Sequence, residues 1–288
     1  MVDPLHVLKE LEKKLVFSYL PEEVRESLSG LDVQKVTTST NDDVLCSSAL
    51  QSQRFFVSLA NQQTAGRGRN GKVWQSPSNA HIYMSVGSIY DVSLVKDMAG
   101  LSLACGVAVA RLLGEMGFNV GLKWPNDVLV DDKKLAGILV ETRIRSSEVV
   151  VVVGLGLNVD MPDSVAQDID QPWTDLSSLM LKKDYSSVGE LLDEKNVNRN
   201  YVAAKLIEKI MQSMKRYAET GFASFNDDWR EFDVLSGREV IVRTSEENLV
   251  GRVTGFNKDY SVVVMIDNKE KIFYAADIKL KLNSHVSG

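Results

Sequence analysis

The sequence predicts a mixed α/β (α+β) fold, a sheet packed by helices and followed by a small β module. Three observations predict it. Short apolar runs of strand length recur between residues 55 and 153. Two long stretches, 95–116 and 201–220, carry apolar residues at helical spacing. After Ser236-Gly237 the pattern changes to short alternating segments separated by turns. The 288 residues suit one large domain, or a domain of roughly 200 residues plus a small module.

Leu5, Leu8, Leu11 and Leu15 sit at helical spacing, which predicts an N-terminal helix over 5–18, closed by Pro21 and Gly30. Val33–Val36 opens the main domain, and the polar turn Thr37–Asp42 offers Ser39 and Asn41 as caps for a helix beginning near Asp43. Strands follow at Phe55–Leu59 and around Ile82, Met84 and Val86. In the helix predicted over Val95–Met116, Gly100 and Gly106 suggest close packing against a sheet. Val120–Trp124, Val128–Val130, Leu135–Glu141 and Val149–Val153 read as short strands, with Asp131-Asp132-Lys133 as a turn. The polar, acidic stretch Asp160–Arg199 reads as a surface excursion, and Tyr201–Thr220 as a helix with Leu206, Ile207, Ile210, Met214 and Tyr217 on one side. Val240–Val242, Leu249–Val253, Ser261–Ile266 and Lys271–Tyr274 then predict a small β-barrel module. The expected division is an N-terminal helical extension (1–32), a central domain (33–235) and the C-terminal module (236–288).

A net charge of −6 argues against general nucleic-acid affinity, which needs a basic footprint. Cys46 and Cys105 cannot form a disulfide framework, and His6, His81 and His285 lack ligand spacing, so no zinc site is expected. No apolar run reaches the ~18 residues of a membrane span. The acidic N-terminus does not resemble a targeting peptide, so the expected location is cytoplasmic.

The most informative stretch is Asn61–Trp74, in which Gly66, Gly68 and Gly71 alternate with Arg67, Arg69 and Lys72. Glycines let backbone N–H groups approach a ligand, and adjacent cations favour phosphates and carboxylates. Two familiar motifs nearly fit. Gly66–Gly71 matches the dinucleotide fingerprint, and the same residues match a P-loop up to Val73. Both require a helix next, whereas Lys72–Asn79 contains Pro77 and turn formers, so both are rejected.

Four further segments complete a pattern: Ser39-Thr40-Asn41, Lys123-Trp-Pro-Asn-Asp127, Lys133-Lys-Leu-Ala-Gly-Ile-Leu-Val-Glu141, and the glycine-flanked turn Gly154-Leu-Gly-Leu-Asn-Val159. Each alone has a bland reading as a cap, a turn or a solvated strand end. In this order the chain resembles the biotin protein ligases (biotin–[acetyl-CoA-carboxylase] ligases, holocarboxylase synthetases) over roughly residues 33 to 282. Lipoate–protein ligases share the chemistry, but their Arg-Arg-x-x-Gly-Gly-Gly loop is absent.

The resemblance implies a mixed α/β catalytic domain followed by an SH3-like barrel, and a two-step reaction. ATP and biotin, with Mg²⁺, give biotinyl-5′-AMP, and a lysine of a biotin carboxyl carrier domain then takes the biotinyl group. Lys134 resembles the family lysine at the biotin carboxylate, and Lys123 falls at the phosphates. Asp127 is a base for the acceptor lysine or a magnesium ligand, and the sequence leaves both open. Ser39, Thr40, Asn41 and Gln63 fall to biotin's ring and tail, with Gly66, Gly68 and Gly137 needed for backbone approach. Arg67 and Arg69 fall in the loop that covers the adenylate and touch both substrates, Trp74 on the adenine, and Asn126 and Asn158 near the nucleotide. The stretch before residue 33 is shorter than the helix-turn-helix domain of repressor members, so sequence-specific DNA binding is not expected, and without an apolar run of span length no membrane role is expected either. A monomer or homodimer remains open. Asp184–Arg199 resembles an insertion.

Overall fold

The computed structural model describes residues 8–167, 169–181, 191–193, 196–244, 247–275 and 279–282. Two short helices, α1 (Lys13–Tyr19) and α2 (Glu22–Glu26), precede β1 (Leu28–Gln34). Then come α3 (Thr40–Leu45), β2 (Phe55–Ala60), β3 (His81–Asp91), α4 (Leu101–Glu115), β4 (Val120–Lys123), β5 (Asp127–Val130), β6 (Lys133–Arg145) and β7 (Glu148–Asn158). These seven strands form one sheet in the order β1-β2-β3-β7-β6-β5-β4, in which only β1 and β2 run parallel. After α5 (Asp163–Ala166), α6 (Leu176–Met180) and the two-residue strands β8 (Leu192–Asp193) and β9 (Asn196–Val197) come α7 (Arg199–Thr220) and α8 (Asn226–Phe232). The chain ends in an antiparallel sheet of β10 (Glu239–Arg243), β11 (Asn248–Phe256), β12 (Val262–Ile266), β13 (Lys269–Phe273) and β14 (Lys279–Leu282), ordered β13-β12-β11-β10-β14.

Helices α4 and α7 pack on each other and cover one face of the large sheet, where alternate β7 residues Val149, Val151, Val153, Leu155 and Leu157 join the main core. The opposite face carries only a small cluster, Val44, Leu45, Leu50, Phe56, Val150 and Val152, beneath α3. Among the described residues no helix is long and apolar enough to cross a membrane.

Several expectations need correction. The N-terminal helix starts at Lys13 rather than near Leu5, which lies outside the described residues. Leu8 and Leu11 are buried but not helical, because side chains hold their backbone: Leu11 N donates to Asn61 Oδ1, Glu12 N to Asn200 Oδ1, and Arg199 Nη1 to the Lys9 carbonyl. Leu15 faces outward at 40% exposure. The predicted 95–116 helix divides into a 3₁₀ stretch, Val92–Gly100, and α4. Gly100 packs against Tyr217 and Tyr260 rather than the sheet, while Gly106 does face Leu122 and Ile138. The excursion after Asp160 is not simply superficial, since Leu176, Leu191, Val197 and Arg199 are buried. Residues 184–190, 194 and 195 of the inferred insertion lie outside the described residues. The turn at Asp131-Asp132 forms as expected, both residues having positive φ, and β14 is an additional strand.

Candidate active site

β7 changes character halfway along. On the face opposite the core, Val150 and Val152 give way to Gly154 and Gly156, which lie in mid-strand rather than in the turn the sequence suggested. Same-face residues are roughly 6.5–7 Å apart. The two missing side chains open a shelf. A Cβ on Gly154 would meet Asn41 Cγ at 3.0 Å, and one on Gly156 would meet Trp74 Cζ2 at 2.5 Å. Glycine therefore seats Asn41 and Trp74 directly on the strand.

Around this shelf is a cavity of about 580 Å³. Its wall includes Ser39, Thr40, Asn41, Gln63, Arg67, Gly68, Arg69, Trp74, Lys123, Asn126, Asp127, Lys134 and Gly137, so most residues singled out in the sequence converge. Ser39 holds the position before α3, but its hydroxyl does not cap the helix. Gln63 does so from the glycine loop: its Oε1 accepts from Thr40 N at 3.0 Å, while its Nε2 donates to Ser76 Oγ at 3.1 Å. The Thr40 and Ser85 hydroxyls are 2.7 Å apart, and Ser85 Oγ donates to Asn41 Oδ1 at 2.5 Å. All three of these residues are buried, so the hydrogen bonds fix how their polar groups face the cavity.

The glycine loop closes the cavity without starting an α-helix. Arg69–Gly71 makes a 3₁₀ turn with Asn70 and Gly71 at positive φ, and the chain then runs irregularly to β3. The dinucleotide and P-loop readings fail on this geometry. Gly66 lies outside the cavity wall; a Cβ there would meet Ser76 Oγ at 2.5 Å and the Trp74 carbonyl at 2.7 Å, so it serves the loop's own closure rather than ligand approach. Gly68 is in the wall with only ordinary contacts at its Cβ position. Arg67 forms a two-pronged pair with Asp42 at 2.6 and 2.8 Å and reaches Glu141 Oε2 at 3.0 Å. The guanidinium holds the Asp42 carboxyl below its usual range, and the two carboxylates raise the Arg67 pKa. Arg69 instead donates to the Ala275 carbonyl at 2.7 Å, beyond β13. Burial lowers the Arg69 pKa, with the field of Asp127 opposing that shift.

On the far side of Trp74, Lys134 Nζ lies 2.6 Å from Asp127 Oδ1 and 5.2 Å from the indole centroid. The lysine and aspartate side chains are only 15% and 17% exposed, so this pair acts in a weakly screened setting. A Cβ at Gly137 would come within 3.0 Å of Trp74 and 3.2 Å of Lys134 Cε, which explains glycine there. The backbone of Lys134 is pinned on both sides, donating to Pro172 O and accepting from Thr174 N. Lys123 ends β4. Asn126 spends its side-chain amide on the Ile138 carbonyl at 2.8 Å. Asn158 is not in the wall. It is buried, and its amide donates to the carbonyls of Thr174 (3.1 Å) and Lys134 (3.4 Å), which makes it a support for Lys134.

Several participants have no role assigned from sequence. Ser85, Asp42 and Glu141 join the site through tertiary contacts alone. Arg238 and Arg243 bring two cations from the C-terminal sheet to the cavity, Arg238 pairing with Asp132 at 3.0 Å. Among the described residues, no group of three or more His, Cys, Asp or Glu side chains is placed to hold a metal.

Comparison with known proteins places this geometry. The family model described as the biotin/lipoate A/B protein ligase family matches residues 30–158. The bifunctional ligase/repressor BirA of Escherichia coli (strain K12) is 29% identical over 77% of this chain and 65% of its own length. A biotin–[acetyl-CoA-carboxylase] ligase of Mycobacterium tuberculosis is 44% identical over 48% of this chain and 53% of its own. The chain thus spans less than two thirds of the length of either relative. In fold, the biotin protein ligase from Aquifex aeolicus in complex with biotin and ATP matches with a TM-score of 0.70 at 23% identity, covering 88% of this chain and 99% of that one. The matched span holds the glycine loop, the Lys134–Asp127 pair and the glycine shelf of β7, and residues 30–158 belong to the biotin/lipoate A/B protein ligase family.

Proposed function

We propose that the chain is an ATP-dependent biotin–protein ligase that forms biotinyl-5′-AMP and transfers the biotinyl group to a lysine of a biotin carboxyl carrier domain in a biotin-dependent carboxylase. One observation carries the reading: a single cavity joins a polar network (Thr40, Asn41 and Gln63, backed by the buried Ser85) to a cationic end (Lys134, Lys123), under a loop carrying Arg67 and Arg69. Biotin presents a polar ureido ring at one end and a carboxylate at the other, which matches that division. The catalytic unit is assigned to 33–235 and the C-terminal module to 236–288, with a cytoplasmic setting and a monomer or homodimer as the working form.

In the first step a carboxylate oxygen attacks the α-phosphorus, the bond to the β-phosphate oxygen breaks, and pyrophosphate leaves. Two anions must meet, so preorganised positive charge lowers the barrier. Lys134 has three N–H donors, one directed at Asp127, leaving others for the carboxylate and the α-phosphate oxygens. Asp127 holds the ammonium in place in the meantime. Lys123, Arg238 and Arg243 offset charge at the phosphates, and Trp74 offers the adenine an aromatic face. In the second step the neutral acceptor amine attacks the acyl carbon, AMP leaves with the bridging oxygen, and a proton passes from nitrogen to a base. Asp127 suits that role once Lys134 turns to the substrates. Arg67 and Arg69 anchor the loop at both sides, which excludes water from the mixed anhydride.

Magnesium bound to ATP would neutralise phosphate charge. Asp127, Asp132 and Asp170 line the cavity, but no closed carboxylate cage is formed among the described residues. That suits an ion held mainly by phosphate oxygens and water. The test is transfer of labelled biotin to a purified carrier domain. Incorporation requiring both ATP and Mg²⁺ is expected; no incorporation under those conditions overturns the reading.

A further inference from the structure

Glu141 lies on β6 outside the cavity wall, and the chemistry above gives it no task. Yet its Oε2 atom accepts from Asn41 Nδ2 at 2.6 Å and from Arg67 Nη2 at 3.0 Å. Those donors belong to different parts of the site, the first turn of α3 and the glycine loop. We propose that Glu141 is a positioning residue that couples the orientation of the Asn41 amide to closure of the glycine loop through this one shared oxygen. The proposal rests on the ligase reading for the identity of the ligand, biotin.

The Asn41 amide is held at both ends. Its Oδ1 accepts from Ser85 and its Nδ2 donates to Glu141, so a flipped amide would set oxygen against carboxylate. Only one amide N–H and one lone pair remain for a ligand, in one fixed direction. Asn41 is 4% exposed, so a misdirected amide could not turn to water for compensation.

Arg67 has a second partner in Asp42, but the two carboxylates are not equivalent. The Asp42 side chain is 42% exposed and that of Glu141 30%. Asp42 also lies next to Asn41 in the same turn without contributing to its amide, so only Glu141 touches both donors. The shared carboxylate can take only one orientation that satisfies both donors. A ligand that orders Asn41 therefore leaves Glu141 already placed for Arg67, so it favours loop closure, and closure favours the ligand by the same factor. In wild type both events report to one atom; without Glu141 they become independent.

The test is a double-mutant cycle on biotin affinity in the full chain. Kd is measured for wild type, N41A, R67A and N41A/R67A, and the four are repeated in the E141A background. The expected result is non-additivity of about fivefold or more with Glu141 present, the low end of typical site-to-site coupling, and additivity without it. E141Q supplies a second reading if E141A does not fold. Its amide oxygen still accepts from Asn41 but is uncharged towards Arg67, so biotin Kd should stay within about threefold of wild type while release of biotinyl-AMP accelerates about tenfold, the gap between neutral and charge-assisted bonds. Additive penalties with Glu141 present, equal coupling in both backgrounds, or an unchanged release rate in E141Q overturns the proposal. No biotin binding by wild type overturns the ligase reading and this proposal with it, whereas normal binding with additive penalties overturns this proposal alone.

Discussion

The two faces of β7 meet very different surroundings. One face presents Val149, Val151, Val153, Leu155 and Leu157 to a continuous core under α4 and α7. The other presents Val150 and Val152 to a small cluster, then Gly154 and Gly156 to Asn41 and Trp74. One strand thus faces the core on one side and lines the cavity on the other. The polar side chains around the cavity are held by hydrogen bonds and ion pairs rather than by apolar packing.

The comparison predicts that substitutions on the two faces separate activity from stability. The largest effect is expected for Lys134→Ala, which should slow adenylate formation by about 10²–10³, the usual scale for losing one transition-state charge contact. An unaltered rate removes Lys134 from its assigned role. Next, Gly156→Ala pushes its new Cβ into the Trp74 indole, and a misplaced aromatic should raise the KM for ATP by about tenfold or more, equivalent to roughly 1.4 kcal/mol. Val151→Ala on the opposite face should leave KM alone and lower stability by about 1–3 kcal/mol, measured by denaturant unfolding. If both variants behave alike, the two-sided account of β7 is wrong.

Arg69→Gly tests the loop. Losing its bond to the Ala275 carbonyl should let biotinyl-AMP escape and label bystander lysines, read out by mass spectrometry of mixed proteins. Unchanged acceptor selectivity speaks against closure by Arg69.

The smallest effect concerns pH. His81 lies in the sheet interior, where burial lowers its pKa to about 4 from 6.5, and its Nδ1 accepts from Val159 N at 3.1 Å. The unfolded chain therefore binds a proton that the folded chain refuses between those values. Stability should be full above pH 6.5 and decline as pH falls towards 4. His81→Asn keeps an acceptor but does not titrate, so its unfolding midpoint should vary less between pH 7.5 and 5; an identical slope removes His81 as the source.

How much of this was legible depended on whether the signal was local. Lys123-Trp-Pro-Asn-Asp127 and the Lys134 segment could be read because their residues meet across one hairpin, β5 to β6. The failure of helix formers after Gly71 correctly excluded two phosphate-loop motifs. Gly154 and Gly156 were read as a turn, because glycine in a sequence does not reveal whether it bends the chain or makes room for a neighbour. Leu8 and Leu11 satisfied helical spacing, yet Asn61, Arg199 and Asn200, far away in sequence, hold that segment extended. Glu141 ends a recognisable segment but has no role legible there, and Ser85 has no signal at all, since their contacts exist only once α3, β3 and β6 come together. Asn158, expected near the nucleotide, lies outside the cavity wall and donates to the Lys134 and Thr174 carbonyls.

The central claim is that this cavity joins biotin to AMP. Its most direct test is exchange of labelled pyrophosphate into ATP in the presence of biotin, of lipoate, or of neither. The account predicts exchange with biotin and none with lipoate or without an acid. Silence with biotin, or equal exchange with lipoate, would contradict it.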